Sequence, residues 1–420
     1  MEKITSLRGM RDILPPEVYS WQFIEKTARE VFESFGYEEI RTPILEETAL
    51  FQRGIGEGTD IVNKEMYTFT DKGGRSVTMR PEGTAPIVRS YIENNLGVDG
   101  QMVKLYYIGP MFRSERPQKG RSRQFYQVGV EAIGSTSPYA DAEAMLAMAT
   151  FFARLGLDDF KVKLCSLGCS GDKEKFTAAL RKYLKPESSR LCDDCKVRVE
   201  KNVLRVLDCK VESCKTLLVD SPKTKDFLCS SCAENYKKVK DLLSSYGIDF
   251  REDAGLVRGL DYYTSTVFEV THQALGSQDA IAAGGRYDNL IADFGGKKNG
   301  AFGFAVGIDR LLLALSSKGS LKAPGKNKTD LYIATTGEDV YEEAFKNAVA
   351  LRQKGVSCEI DLQGRSLKAQ MRNANKRDAT YVAIFGSEEL KKNEVVLKDM
   401  KTSEQRNIKI SDLAKVVKNV

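Results

Sequence analysis

Residues 109–131 read GPMFRSERPQKGRSRQFYQVGVE. Arg113, Arg116, Lys119, Arg121 and Arg123 fall within eleven positions, with Glu115 and Glu131 among them. Apolar residues flank the run on both sides, in LYYIGPMF and FYQVGVEAIG. The pattern predicts strand, charged loop, strand: an antiparallel hairpin. Arg, Gln and Glu on a strand face cost free energy unless they find partners, so the hairpin is expected to aim its cations at an anionic ligand. The plainer alternative is a solvated basic loop, the usual fate of a charge run.

Outward from the hairpin, helical spacing over residues 15–36 predicts a helix stopped by Gly36. YEEIRTPILEE reads as a strand interrupted by Pro43, which suits an edge or an interface because proline cannot donate to a ladder. FQRGIGEGTD reads as a glycine-rich loop, and SVTMRPEGTAPIVRSYI as a strand entering a helix near Pro86. Residues 139–156 predict an amphipathic helix ended by Gly156. From 170 to 245 lysines and cysteines rise and helical patterns shorten, which predicts an inserted, mostly helical module. Strand-and-turn texture resumes in LVRGLDYYTSTVFEVTH, IAAGGRYDNLIADFGG and GAFGFAVGIDRLLLALSS. Residues 318–329 read as a polar linker. Beyond it strands and helices alternate, which predicts a small α/β domain with parallel pairing.

A chain of 420 residues has room for two or three domains, and 42% hydrophobic with 29% charged residues is a soluble composition. No apolar run reaches the roughly 18 residues of a membrane span, and MEKITSLRGMRDILPP lacks an apolar signal core, so no membrane and a cytoplasmic location are expected. A net charge of +6 permits a nucleic-acid partner without demanding one. The single histidine, His272, has no nucleophile near it in VTHQALG. Chemistry is therefore expected from arginines, carboxylates and a bound metal ion.

The motifs, taken in order, resemble those of class II aminoacyl-tRNA synthetases. FGYEEIRTPILEE resembles motif 1, with Pro43 at a dimer interface; the 109–131 hairpin resembles motif 2; GAFGFAVGIDRLLLAL resembles motif 3, carrying Arg310. RGLDYYTSTVFE and AGGRYDNLI are similar to the segments special to the histidyl-tRNA synthetase family. The ordered set, with RPEGT between motifs 1 and 2, spans the chain. The resemblance implies an α+β catalytic domain built on an antiparallel sheet over 1–325. It also implies the 170–245 module within that domain and an α/β anticodon-binding domain over 329–420. The implied reaction activates histidine with ATP and Mg²⁺ to histidyl-adenylate and passes histidine to the 3′-terminal adenosine of its tRNA. The implied assembly is a homodimer.

Activation brings two anions together, so fixed arginines, which bind phosphate bidentately and stay charged, suit the task. By resemblance Arg113 grips the α-phosphate, Arg310 meets the γ-phosphate, Arg121 holds the outer phosphates, Phe125 stacks on adenine and Glu115 meets its amino group. Arg258 would bridge the histidine carboxylate and the α-phosphate. Glu131 and Tyr263 would bond the two ring nitrogens. Glu82, Gly83, Thr84 and Gln127 would hold the ammonium end, and Tyr262 and Tyr287 would line the pocket. Tyr262 and Tyr263 are adjacent, and on a strand one of them would face the core. Bonding both ring nitrogens rejects analogues by about 10⁴–10⁵. Gly284 and Gly285 would let the backbone approach the substrate. Gln118, Lys119 and Gly120 at the hairpin tip would meet the acceptor end of histidine tRNA, and no general base stands out, leaving the adenylate phosphate to accept the proton. In the last domain Lys368, Arg372 and Lys376 form one helical stripe, with Arg377 beside it, suited to phosphate or simply to solvent.

Nine cysteines cluster mostly between 165 and 232. Cys192, Cys195, Cys229 and Cys232 form two paired-ligand spacings that predict one structural zinc site, with reduced free cysteines as the alternative. Cys209 and Cys214 exceed the four ligands. Two other functions compete: a regulatory subunit of ATP phosphoribosyltransferase built on the same fold, and a plain RNA-binding protein. The first would depart from Arg113, Arg258 and Arg310 and lack the last domain; the second would not need RPEGT or RGLDYY.

Overall fold

The computed structural model describes residues 3–97, 100–276, 279–317, 319 and 329–418. The expected linker over 318–329 lies, apart from Gly319 and Thr329, outside the described residues. The chain divides into units spanning Met1–Ala323 and Pro324–Val420.

The first unit is built on an eight-stranded sheet. From one edge its strands are Glu38–Glu39, Val103–Phe112, Gln124–Ile133, Ala301–Gly307, Ala280–Arg286, Thr264–Thr271, Lys161–Ser166 and Phe250–Glu252. The five inner pairings are antiparallel and the two outer ones parallel. Alternation along Gln124–Ile133 sends Val128, Val130 and Ala132 into the main core and Gln127, Gly129 and Glu131 to the other face. Helix Glu17–Ser34 buries Trp21, Ile24, Ala28, Val31 and Phe32 against the core face, at the spacing of one helical stripe. Pro138–Leu155 is started by Ser137, whose hydroxyl accepts the Tyr139 N–H at 3.3 Å, and stopped by Gly156 in the left-handed region. With that face covered, the polar face is left for the site.

YEEIRTPILEE does not form one strand. Glu38–Glu39 joins the large sheet, while Leu45–Glu47 pairs with Ser76–Met79 in a separate three-stranded sheet, with Pro43 between them. FQRGI is helical rather than loop, within Thr48–Ile55, and a Cβ on Gly54 would lie 2.8 Å from the Phe294 ring.

The inserted stretch is helical: Ser170–Leu184, Asp193–Lys201, Glu212–Leu218 and Ser230–Ser245. The first three gather a core of their own around Phe176, Leu180, Leu184, Cys195, Val199, Cys214 and Leu217. Ser230–Ser245 instead sends Tyr236, Val239 and Leu243 into the main core.

The second unit has a five-stranded sheet. Leu331–Thr335 is parallel to Cys358–Ile360 and Tyr381–Phe385, as expected. Glu394–Asp399 and Gln405–Lys409 then add an antiparallel hairpin, so the sheet is mixed. Helix Leu367–Lys376 buries Gln370 and Ala374 and leaves Lys368, Arg372 and Lys376 exposed; Arg377 pairs with Glu359 at 3.2 Å.

Candidate active site

The hairpin forms in the register the alternation requires, with Phe112 opposite Gln124 and Gly109 opposite Gln127. Beside it opens a cleft of about 870 Å³. Arg113, Glu115, Arg121, Phe125 and Gln127 from the hairpin line it, together with Arg258, Tyr262 and Tyr263 from the RGLDYY segment and Arg310 from helix Ile308–Ser317. Residues more than a hundred positions apart thus share one wall.

Each arginine is held. The Arg113 Nε donates to the Pro81 carbonyl at 2.9 Å, and its guanidinium lies 5.3 Å from the Phe125 ring centre. Glu115 sits between Arg121 at 2.8 Å and Arg113 at 3.8 Å. Arg258 pairs with Glu269, and its Nε is buried without a hydrogen-bond partner among the described residues. Arg310 donates to the carbonyls of Gly120 at 3.0 Å and Ala280 at 2.7 Å. Burial, reinforced by the positive charge of Arg121, lowers the Arg310 pKa below its usual value. A second orphaned group is the buried Oε1 of Gln127. Buried polar atoms that lack protein partners in a cleft are groups with which a polar ligand can pair.

Below the cleft lies a carboxyl hub. Glu131 is fully buried. Its Oε1 accepts the Thr84 hydroxyl at 2.7 Å and its Oε2 the Tyr287 hydroxyl. Burial pushes its pKa up to about 8. Glu82 is also buried, and burial raises its pKa too; its carboxylate accepts the N–H groups of Thr84 at 2.7 Å and Ala85 at 2.8 Å. Glu82 therefore caps the helix Thr84–Glu93 from within the site, while the Thr84 side chain turns to Glu131.

The residues at 9–311 match the family model for histidyl-tRNA synthetase, and those at 330–420 match the anticodon binding domain model. The histidine–tRNA ligase of Halothermothrix orenii is 50% identical over 97% of each chain, and that of Thermotoga maritima is 50% identical over 97% of this chain and 96% of its own. The crystal structure of apo Staphylococcus aureus histidyl-tRNA synthetase superposes with a TM-score of 0.85 at 37% identity, over 99% of this chain and 100% of the other. The chain belongs to the histidyl-tRNA synthetase family. Its reaction is ATP-dependent ligation of histidine to tRNA, its α+β fold is that of class II, and a dimer is typical of the family. ATP enters this family's reaction as a Mg²⁺ complex.

Arg113, Glu115, Arg121, Phe125, Gln127, Arg258, Arg310, Glu82, Thr84, Tyr262 and Tyr263 all reach the cleft. Glu131, Tyr287 and Gly83 do not form its wall; they lie behind it. Tyr262 and Tyr263 do not face opposite ways. They precede strand Thr264–Thr271 rather than belonging to it, and their ring centres are 4.7 Å apart in one pocket. The close approach at Gly284 is that of the neighbouring strand rather than of a substrate, since a Cβ there would lie 2.3 Å from the Gly303 carbonyl oxygen. Arg286 of GGRYD is structural, paired with buried Asp141 at 2.6 Å. His272 is buried, with Nε2 2.8 Å from Asp159 and Nδ1 accepting the Ala274 N–H. The hairpin tip is folded back. Gln118 and Arg121 close a tight turn, Gly120 is bonded to Arg310, and Lys119 lines a small cavity with Arg11, Glu17 and Asp309.

The cysteines do not group by their spacing in sequence. Cys192 and Cys195 do not meet Cys229 and Cys232. They converge with Cys209 and Cys214, all four sulfurs lying within 4.8 Å of one another. The pairing by spacing failed because the intervening helices bring the CKVESC segment, rather than the second Cys-x-x-Cys, against the first.

Three site residues escaped the sequence reading. Tyr107 lines the cleft, and Cβ atoms on Gly83 and Gly129 would lie 2.4 and 2.5 Å from it. The hairpin register pairs Tyr107 with Gly129, so counting back from the turn finds this contact. Gly303 faces Glu131 across Ala301–Gly307. Arg205 of the module donates to the Arg258 carbonyl at 3.2 Å and pairs with Asp60 at 3.4 Å, and no local signal marks it.

Proposed function

We propose that this cleft divides the family reaction as follows. The histidine carboxylate and the α-phosphate of ATP meet between Arg113 and Arg258, whose fixed charges offset their repulsion. Arg121 and Arg310 hold the outer phosphates, Phe125 stacks on adenine and Glu115 meets its amino group. A carboxylate oxygen of histidine attacks the α-phosphorus and pyrophosphate leaves. In the transfer step the adenylate phosphate takes the proton of the tRNA ribose hydroxyl. The observation that carries this reading is the convergence of Arg113, Arg121, Arg258 and Arg310 on one cleft in which Arg258 and Gln127 each hold an unpartnered buried atom.

The histidine ring would sit over Tyr262 and Tyr263. Tyr263 bonds one ring nitrogen. Glu131 bonds the other once the ring displaces the Thr84 hydroxyl, and Glu82, Thr84 and Gln127 take the ammonium. Gly83 serves by clearance, letting the chain cross the Tyr107 ring. Gln118, Lys119 and Gly120 contact the tRNA acceptor end when the folded tip opens. The first cysteine group holds a structural zinc ion. Four thiolates around zinc stand roughly 3.8 Å apart, since each Zn–S bond is about 2.3 Å, and Cys192 and Cys209 already stand at 3.8 Å. The 1–325 catalytic, 170–245 inserted and 329–420 anticodon-binding regions carry separate tasks, the task of the module being contact with the acceptor stem. A tRNA substrate supports work in the cytoplasm.

Histidine-dependent exchange of pyrophosphate into ATP tests the reading. Arg258→Ala should lower exchange by about 10²–10³ with an unchanged circular dichroism spectrum. Exchange at the wild-type rate from that variant would refute its role.

A further inference from the structure

Three of the five cysteines outside the first group gather around a carboxylate. The Sγ atoms of Cys169, Cys229 and Cys232 and a carboxylate oxygen of Asp172 lie within 4.8 Å of one another. We propose that these four residues bind a second zinc ion, and that it clamps together the two ends of the inserted module.

The donor set argues for a metal rather than a redox pair. A dithiol switch needs two sulfurs; here a third thiol and a carboxylate make up four donors, the number that structural zinc takes. Asp172 is 2% exposed, and its carboxylate, which accepts the Cys169 backbone N–H at 3.3 Å, is held as a fixed oxygen donor beside the three sulfurs. The adjacent cation, Lys173, is engaged elsewhere: its Nζ donates to the carbonyls of Asp261 at 3.1 Å and Tyr263 at 3.2 Å. Two helices also start at the site. Cys169 is the N-cap of Ser170–Leu184 and Cys229 that of Ser230–Ser245, and both helix dipoles favour thiolates there. No cysteine is in a disulfide. Thiolates with one carboxylate favour zinc over calcium or magnesium.

The position gives the site its purpose. Cys169 and Asp172 lie where the chain leaves the large sheet after Lys161–Ser166. Cys229 and Cys232 open the helix that returns it to the main core. A metal there fixes the helix whose Lys173 holds the backbone of the RGLDYY segment. The two groups also differ in access: Cys169 and Cys229 are exposed, whereas Cys195, Cys209 and Cys214 are buried.

The experiment is zinc counting on the full-length protein purified under reducing conditions. The wild type should carry two zinc ions per chain, Cys229→Ser/Cys232→Ser one, and Cys195→Ser/Cys209→Ser one. A chelator should remove the exposed ion first. Unchanged zinc content in the 229/232 variant, or a Cys229–Cys232 disulfide in peptides of the purified wild type, would overturn the proposal. Loss of zinc only in the 195/209 variant would do so while leaving the first site intact. Should the double variant not fold, Asp172→Asn is read instead on cobalt-substituted protein, where the visible spectrum of one of two cobalt ions should change; an unchanged spectrum overturns the assignment. The clamp predicts about a 10-fold rise in KM for histidine when the second ion is lost, and an unchanged KM would overturn the clamp.

Discussion

At the scale of single residues, Glu131 is where burial and chemistry meet. A buried carboxyl holds its proton to about pH 8, whereas an unfolded one releases it near pH 4.5. Between those values the folded state binds the extra proton, so this group makes stability fall as pH rises, and the loss is complete above about pH 8. Glu131→Gln removes the titration. Its melting temperature should match the wild type near pH 4.5 and exceed it increasingly up to pH 8.5, while histidine binding weakens; parallel melting curves across that range would contradict this. Gly303 is the complement. A Cβ there would lie 1.8 Å from the Glu131 Oε2 and 2.6 Å from the Val130 carbonyl oxygen. The carboxyl cannot swing aside without breaking its bonds to Thr84 or Tyr287. Gly303→Ala should therefore cost about 1–3 kcal/mol of stability and raise KM for histidine, both measurable by denaturation and pyrophosphate exchange.

At the scale of elements, the 109–131 hairpin was legible because its alternation has period two on both sides of one charged loop. Its cations were not equally legible. Arg113 and Arg121 face the cleft, while Arg123 turns to the carbonyls of Glu115 and Arg8, and Arg116 is exposed. Charge alone does not tell a loop residue which way to point; packing against the N-terminal segment does. The module shows the opposite case. Its helices were expected, but its cysteines were paired by sequence spacing, and helix packing pairs them by space. Arg205 and Asn202 of the module, which hold the Arg258 carbonyl and the Asp261 carboxylate, carry no motif. An Arg205→Ala variant should lower exchange without changing zinc content, because it loosens the backbone that positions Arg258; a rate equal to wild type would show that the contact is idle.

At the scale of the molecule, each unit has a hydrophobic core of its own. A chain ended near residue 319 should keep histidine-dependent pyrophosphate exchange and lose tRNA charging by about 10², the typical gain when two binding modules act on one ligand. Loss of exchange as well would show that the second unit supports activation. On the first unit, Ile44 and Leu45 are 42% and 47% exposed beside Pro43, the kind of apolar exposure that an interface segment presents. Family, reaction, the order of motifs and the strand–helix alternation were determined by the sequence alone, because local periodicity and residue chemistry are written along the chain. Tertiary structure decided what depends on distance across it. It set Glu131 behind the cleft rather than in its wall, turned both tyrosines to one side, folded the hairpin tip back onto Arg310 and split the cysteines into two groups. Each of these follows from the close packing of segments far apart in sequence, which no local pattern encodes.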